Sequence, residues 1–244
     1  MTAPLGTINS TDIVEGITPA QYLDTTHSPV ALYDVDGDLV DGSGNALDLT
    51  WAAGTEIYGP GPVTDGLALF FQNSRASHAF DALYQILTDL TLEALVFPGI
   101  VHSADGYVMQ FGGNGETEAL NILWSMILTT GNRVKFLQES GAGTNQEATF
   151  DVSIPLGQWS HVALTRDNAG TDLNLYVNGI LRGNATLGAA PTGGGSSILT
   201  MGQFAAANQP YTGMVSSAKI IAAELNAAQI LAEAHRALPF ELRP

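Results

Sequence analysis

The chain has 244 residues, 45% of them hydrophobic, enough to fill the core of one large domain carrying terminal appendages. Its 24 acidic residues against 8 basic ones give a formal net charge of -16, which disfavours nucleic acid as a partner, because that affinity rests on Lys and Arg displacing counterions. The same charge disfavours an anionic membrane surface, and the absence of cysteine excludes disulfides, thiolate chemistry and cysteine-ligated zinc.

Residues 1–29 scatter Ile8, Ile13, Val14, Ile17 and Tyr22 among Thr, Ser, Asp and Pro, too thin a composition for a core of its own. They read as an N-terminal arm whose five apolar side chains bind a partner surface, either the arm's own domain or a neighbouring subunit. This segment has neither a basic leader nor a continuous apolar stretch, and no window elsewhere is long and apolar enough to span a bilayer, so synthesis in the cytoplasm is expected.

From Val30 onward, short apolar alternations are separated by Gly, Asn, Asp and Pro clusters, the pattern of an antiparallel sandwich or jelly roll over residues 30–223. Leu47, Leu49 and Trp51 alternate with Asp48 and Thr50; Leu67 and Leu69 lead into Phe70 and Phe71; Leu92 to Phe97 ends at Pro98. Residues 77–87 are ambiguous, since Phe80, Leu83 and Leu87 suit a helical turn as well as an edge strand. Strands are expected over 107–111, 120–128, 133–137 and 148–154.

The stretch from Trp159 to Gly179 is the clearest. Val162 and Leu164 alternate with His161, Ala163 and Thr165, then Leu173, Leu175 and Val177 alternate with Asp172, Asn174 and Tyr176, and Asn178-Gly179 supplies a tight hairpin turn before Ile180. Strands follow at 197–202 and 213–221, and residues 224–244 hold a short amphipathic helix and tail. Asn226 is its N-cap with Gln229 three residues on; Ala227, Ile230, Leu231 and Ala234 form its apolar stripe, and Pro239 stops it.

These motifs resemble, in order, those of laminin-G-like, concanavalin-A-like jelly-roll domains. The turn Asp41-Gly-Ser-Gly-Asn45, the strand Leu90-Thr-Leu-Glu-Ala-Leu-Val96 with Leu95 where the family has Trp, the 159–179 hairpin, and the closing Leu225-Asn-Ala-Ala-Gln-Ile230 carry the resemblance. It implies an all-β, two-sheet antiparallel jelly-roll sandwich. After Gly213 the family's acidic pair is replaced by Ser216 and Ser217, which removes carboxylates that a metal or polar network would need.

Chemistry is harder to find. Glycosidases on the related fold use paired carboxylates, and the nearest match, Glu116-Thr-Glu118, lacks a third carboxylate and follows a Gly-rich turn, so it reads as a solvated loop. The five histidines are scattered, no Ser sits in a nucleophile elbow, and His161 within the hairpin reads as structural. Asp34-Val-Asp-Gly-Asp38 departs from the EF-hand pattern at its sixth and twelfth positions; no cofactor is expected, with a calcium site built by jelly-roll loops as the open alternative. Trp51, Trp124 and Trp159 read as core residues, which leaves Tyr58, Tyr107 and Tyr211, near Gly or Pro turns, as the candidate sugar platforms.

Three functions are therefore weighed. The first is a non-catalytic structural component of a larger assembly, a bacteriophage capsid decoration or tail protein held through its arm by protein subunits that include its own copies, and located on the virion. The second is a carbohydrate-binding, lectin-like module with a glycan partner and an extracellular location. The third, a glycosidase, is opposed by the missing carboxylate set.

Overall fold

The computed structural model describes residues 27–35, 37–62, 66–112, 122–140, 144–192, 198–204 and 209–238. The arm side chains Ile8, Ile13, Val14, Ile17 and Tyr22, and the pair Glu116 and Glu118, lie outside these described residues.

The alternating segments assemble into two sheets packed face to face. One sheet of eight strands runs β13 (Ile180–Thr186), β12 (Asp172–Val177), β11 (Ser160–Arg166), β6 (Leu90–Pro98), β17 (Gly213–Ile221), β4 (Leu67–Phe71) and β3 (Tyr58–Pro60), with β1 (Ala31–Asp34) also paired to β17. The other, of nine strands, runs β10 (Asn145–Ser153), β9 (Arg133–Glu139), β8 (Trp124–Thr129), β7 (Gly106–Phe111), β14 (Leu199–Met201), β5 (Arg75–His78) and β2 (Thr50–Ala53), with β15 (Gln203–Phe204) and β16 (Gln209–Pro210) beside β7. This is the antiparallel jelly-roll sandwich expected, its one parallel pairing among the described residues being Pro210 against Tyr107.

Side chains at every second position of both sheets meet in one continuous core that includes Leu69, Leu92, Trp124, Phe136, Val162, Leu164, Leu175 and Val177. Leu47 and Leu49 reach that core from the segment before β2 rather than from a strand. The ambiguous stretch divides: β5 ends at His78, and Asp81 then caps a single 3-10 turn, Ala82–Tyr84, by accepting from the Leu83 N–H. Trp124 is fully buried in the core and Trp51 stacks on Phe71 beside it. Trp159 instead lies just ahead of β11, half-buried against Phe97 and outside the space between the sheets.

The hairpin strands are buried on both faces, not one, because a third layer covers the eight-stranded sheet. Helix α1 (Ala227–Ala237) starts with the capping box read from the sequence: the Asn226 side chain accepts from the backbone of Ala228 and Gln229, and the Gln229 side chain accepts from the Asn226 N–H. Leu225 and Ile230 pack on Ala163, Tyr176 and Ile221, while Ala234 and Leu238 pack on Leu95. Gly179 lets the helix come this close, since it takes a positive φ of 79° in the turn and a Cβ there would sit 2.8 Å from Leu231 Cδ1. Beneath the helix Lys219 of β17 pairs with Glu233 of α1 and stands 3.8 Å from Glu93 of β6, and Arg236 holds the other Glu233 oxygen at 2.6 Å.

Arg166, at the end of β11, is wholly buried between the sheets, where its guanidinium makes five hydrogen bonds. Nε and Nη2 donate to the Thr88 carbonyl, Nη2 also to that of Ile86, and Nη1 to the Leu123 carbonyl and to Gln138 Oε1 of β9 at 2.8 Å. Gln138 passes the tie onward by donating to the Gly170 and Ala189 carbonyls. One side chain thus joins one sheet, the other sheet and the connection leading into β6.

His161 lies 2% exposed under the helix, its Nε2 3.9 Å from Glu93 Oε1. Burial, aided by the Lys219 ammonium, pushes the imidazole from 6.5 down to about 3. A folded-state value below the unfolded one means that this contribution to stability is present above about pH 6.5 and is lost as the pH falls toward 3, at about 1.4 kcal/mol per pH unit. His102, also held low by burial, adds in the same direction. Urea unfolding should therefore show a loss of about 2 kcal/mol or more between about pH 7 and pH 5. A His161→Gln variant should lose most of that slope; an unchanged slope would show that the imidazole is not held neutral.

Candidate functional site

The two outer faces of the sandwich differ. That of the eight-stranded sheet is closed by α1, whereas that of the nine-stranded sheet carries polar side chains where the strand period points away from the core. Leu199 and Met201 enter the core, so Thr200 faces outward; Gln110 precedes core Phe111; Ser125 lies between core Trp124 and Met126; Ser77 follows core Ala76.

Register brings these residues into one line. Thr50 of β2 is opposite Ser77 of β5, Ser77 opposite Thr200 of β14, Thr200 opposite Gln110 of β7, and Gln110 opposite Ser125 of β8. Four strand spacings make a polar row roughly 19 Å long, perpendicular to the strands. Its exposure falls along its length: Thr50 is exposed, Ser77 half-buried, and Thr200, Gln110 and Ser125 are at or below 1%. Beyond Ser125 the face turns apolar, where Tyr107, Ile122, Ile127, Leu137 and Phe204 form a cluster of their own.

Two members of the row satisfy their hydrogen-bonding capacity internally. Thr50 donates to the Ser77 carbonyl, and the Ser125 hydroxyl both donates to the Leu137 carbonyl and accepts from its N–H. Two do not, for Gln110 Oε1 and Thr200 Oγ1 are buried with no hydrogen-bond partner among the described residues. Leaving a buried polar atom unpaired costs about 1–3 kcal/mol, and native proteins pair the large majority of such atoms, with ordered water or ligand where protein does not reach.

Arg75 belongs to the same face. It is two residues before Ser77 on β5, with core Ala76 between them, and it is half-buried. Its Nε is buried without a partner, and no hydrogen bond or ion pair of this guanidinium occurs among the described residues.

The three tyrosines proposed as sugar platforms are not brought together. Tyr211 is wholly buried, stacked on His102 at 5.6 Å, with its hydroxyl donating to the Met214 carbonyl, so it offers no face to a ligand. Tyr107 lies on the outer face of the nine-stranded sheet, but Phe204 covers it at 5.2 Å and leaves it 4% exposed. Both expectations are corrected for the same reason: a tyrosine beside a turn still follows the burial of its strand. Tyr58 is half-buried on edge strand β3 of the other sheet and donates to Glu56 at 2.5 Å.

No group of three or more His, Asp or Glu side chains able to hold a metal occurs among the described residues. Of the Asp34–Asp38 stretch, residue 36 lies outside them. The neighbouring Asp41 is engaged in structure: burial alone would raise its carboxyl, but the Ser43 hydroxyl and the N–H groups of Leu32, Ser43 and Leu47 outweigh that and hold it below its ordinary value.

Gln110, Thr200 and Arg75 were not singled out by the sequence. The local signal was a lone polar residue between core positions, as in Leu199-Thr-Met201, but many surface positions share it. Only cross-strand register separates these from the rest.

A buried hydroxyl without a partner responds to substitution in a recognisable way. Replacing Thr200 by Val exchanges an unpaired buried hydroxyl for a methyl of the same shape and should leave the ligand-free protein as stable as before, or more stable by up to about 1 kcal/mol. Denaturant midpoints measure this; a loss above about 1 kcal/mol would show that the hydroxyl is paired in solution.

Comparison with known proteins supports the architecture. No curated protein sequence matches the chain. Domain 4 of AbnA, a GH43 extracellular arabinanase from Geobacillus stearothermophilus, solved in complex with arabinotriose, superimposes with a TM-score of 0.66 at 20% identity, over 85% of this chain and 98% of that one. The binding domain of Paraclostridial Mosquitocidal Protein 1 gives 0.67 at 15% identity over 86% of this chain. A botulinum neurotoxin type C structure, from work on cell entry through two ganglioside molecules, gives 0.65 at 14% over 88%. This chain spans 52% of each toxin chain. The family model Laminin_G_3 matches residues 73–231, more than half of the sequence, and the chain belongs to this family of the concanavalin A-like lectin/glucanases superfamily.

Proposed function

We propose that the protein is a non-catalytic glycan-binding module whose ligand meets the open end of the polar row, at Thr50 and Ser77, on the outer face of the nine-stranded sheet. The observation that carries this reading is the accessibility of that end: Thr50 is exposed and Ser77 half-buried, opposite each other on adjacent strands, whereas Thr200, Gln110 and Ser125 farther along are covered. Sugar hydroxyls pair with small polar side chains of the kind that Thr50 and Ser77 present, and placed hydrogen bonds of this sort fix orientation in ligand sites. Similar folds serve recognition elsewhere, in an arabinanase domain with bound arabinotriose and in toxin binding domains.

Binding to a panel of immobilised oligosaccharides, followed by calorimetry on the strongest, tests the reading. Ser77→Ala should weaken binding about tenfold, the equivalent of one hydrogen bond of about 1.4 kcal/mol, without loss of folding. Binding unaffected by Ser77→Ala and by Thr50→Val would remove the site from this face. The row contains no carboxylate, so hydrolysis of the bound oligosaccharide is not expected; turnover abolished by Glu118→Gln would contradict the non-catalytic assignment.

The finer reading, a bacteriophage capsid-decoration or tail component located on the virion, is compatible with a displayed glycan-binding face. It rests on the composition of residues 1–29. Deleting residues 1–25 should leave the melting temperature close to that of the intact chain while abolishing attachment to particles or self-association. Unfolding of the truncated chain, or unchanged attachment, would contradict an arm that docks on other subunits.

A further inference from the structure

Independently of the glycan-binding reading, we infer that the outer face of the eight-stranded sheet is a contact for a second copy of this chain. The two copies pair face to face through an apolar row made by Trp159, Phe97, Met214, Phe70 and Ile57.

Helix α1 closes this face only as far as Leu95. It begins beside Thr91 of β6, whose hydroxyl accepts from the Leu225 N–H, and it ends with Ala234 and Leu238 packed on Leu95 of the same strand. Phe97, two residues farther along β6, shares the face of Leu95 and lies beyond the helix. Across the strands, Met214 of β17 is opposite Phe97, and Phe70 of β4 is opposite Met214. The Phe70 N–H donates to the carbonyl of Ile57, just ahead of β3, and Trp159 stands against Phe97 with ring centroids 5.4 Å apart. Phe97, Met214, Phe70 and Ile57 point away from the core, because their strand neighbours Val96, Val215, Leu69 and Tyr58 pack into it. Ile57 is 42% exposed and the other four are half-buried, so the whole row is within reach of a partner.

Chemistry and shape select the occupant. Four strand spacings make the row roughly 19 Å long. Exposed Leu156 and Ile100 extend it at the Phe97 end, where the Gly157 N–H donates to the Pro98 carbonyl. A contiguous apolar patch of this kind marks an interaction surface. Apart from the Trp159 indole it has no polar group to orient a sugar, and a net charge of -16 opposes an anionic membrane. The same charge makes two copies repel wherever their acidic surfaces meet, whereas this row has no ionisable side chain. The shape matches itself. The row is a tread in front of the C-terminal end of α1, which rises above the sheet. A twofold axis along the row sets tread on tread and carries the two helices to opposite sides. Side chains at strand spacing then meet the same spacing, as in two stacked sheets about 10 Å apart. Met214, at the centre, reaches over Gly59, where a Cβ would sit 2.7 Å from its Sδ, and its flexible thioether adapts to the opposing copy. Pairing through this face turns both nine-stranded sheets outward and makes the dimer bivalent for whatever they bind.

Sedimentation velocity on the intact protein, from about 1 to about 100 µM, tests the pairing. The expected result is a monomer–dimer equilibrium that tightens as salt is raised, since salt screens the repulsion between two acidic copies and leaves the apolar contact in place. Ile57→Glu and Met214→Glu should each weaken dimerisation at least about tenfold by setting like charges against each other at the contact. Leu83→Glu changes a similarly exposed residue, in the connection leading into the far end of β6, and should leave the dimer as it was. An unchanged melting temperature of Ile57→Glu excludes misfolding as the cause. A monomer across the whole range, a dimer that salt weakens, or one that survives both row substitutions overturns the inference. So does dimerisation that occurs only once residues 239–244 are removed, which would give the row to the chain's own tail. Saccharide binding is read at Thr50 and Ser77 on the opposite face, so it stands or falls separately.

Discussion

The buried guanidinium of Arg166 is the interaction on which the sandwich depends. It belongs to β11, yet its five hydrogen bonds end on the segment before β6, on Leu123 at the entry to β8, and on Gln138 of β9, so it fixes the spacing and rotation of one sheet against the other. Burial pushes this side chain from 12.5 down to about 10, still charged at neutral pH, and carbonyl dipoles rather than a carboxylate stabilise it. Polar groups in a low-dielectric interior strengthen a structure only when all of them are paired, and here they are.

That completeness gives meaning to what is left unpaired elsewhere. The same chain that provides acceptors for every nitrogen of Arg166 leaves Arg75 Nε, Gln110 Oε1 and Thr200 Oγ1 buried without a hydrogen-bond partner among the described residues. All three lie on the outer face of the nine-stranded sheet, whereas the opposite outer face is finished with a capped helix, an apolar seam and a cluster of paired charges. The first face stays open to a ligand only at its Thr50 and Ser77 end, and the second also holds buried polar atoms without a hydrogen-bond partner among the described residues, His161 Nδ1 and Thr165 Oγ1.

Much of the fold was legible in the sequence because it rests on local signals. The 159–179 hairpin follows from strict alternation and Asn178-Gly179, whose φ values of 52° and 79° are those the turn demands. The capping box at Asn226 and Gln229 appears as read. Less visible was that Ala163 and Tyr176, which look outward by period, are buried under α1, since covering layers arise from tertiary contacts that alternation does not encode. The site was nearly illegible for the same reason. Thr50, Ser77, Thr200, Gln110 and Ser125 come from five separate strands spread over about two thirds of the chain, and only non-local register aligns them. Aromatic residues beside turns drew attention to Tyr107 and Tyr211, but one is covered by Phe204 and the other fills the interior.

The central claim is that ligand meets this protein on the outer face of the nine-stranded sheet, and the backbone amides of Thr50 and Ser77 report it directly. In a two-dimensional nitrogen-15 NMR spectrum, assigned by comparison with Ser77→Ala, titration with a bound saccharide should move the Thr50 and Ser77 amides together, saturating at one equivalent. Shifts confined to loops at the ends of the sandwich, with these amides unmoved at saturation, would contradict the account.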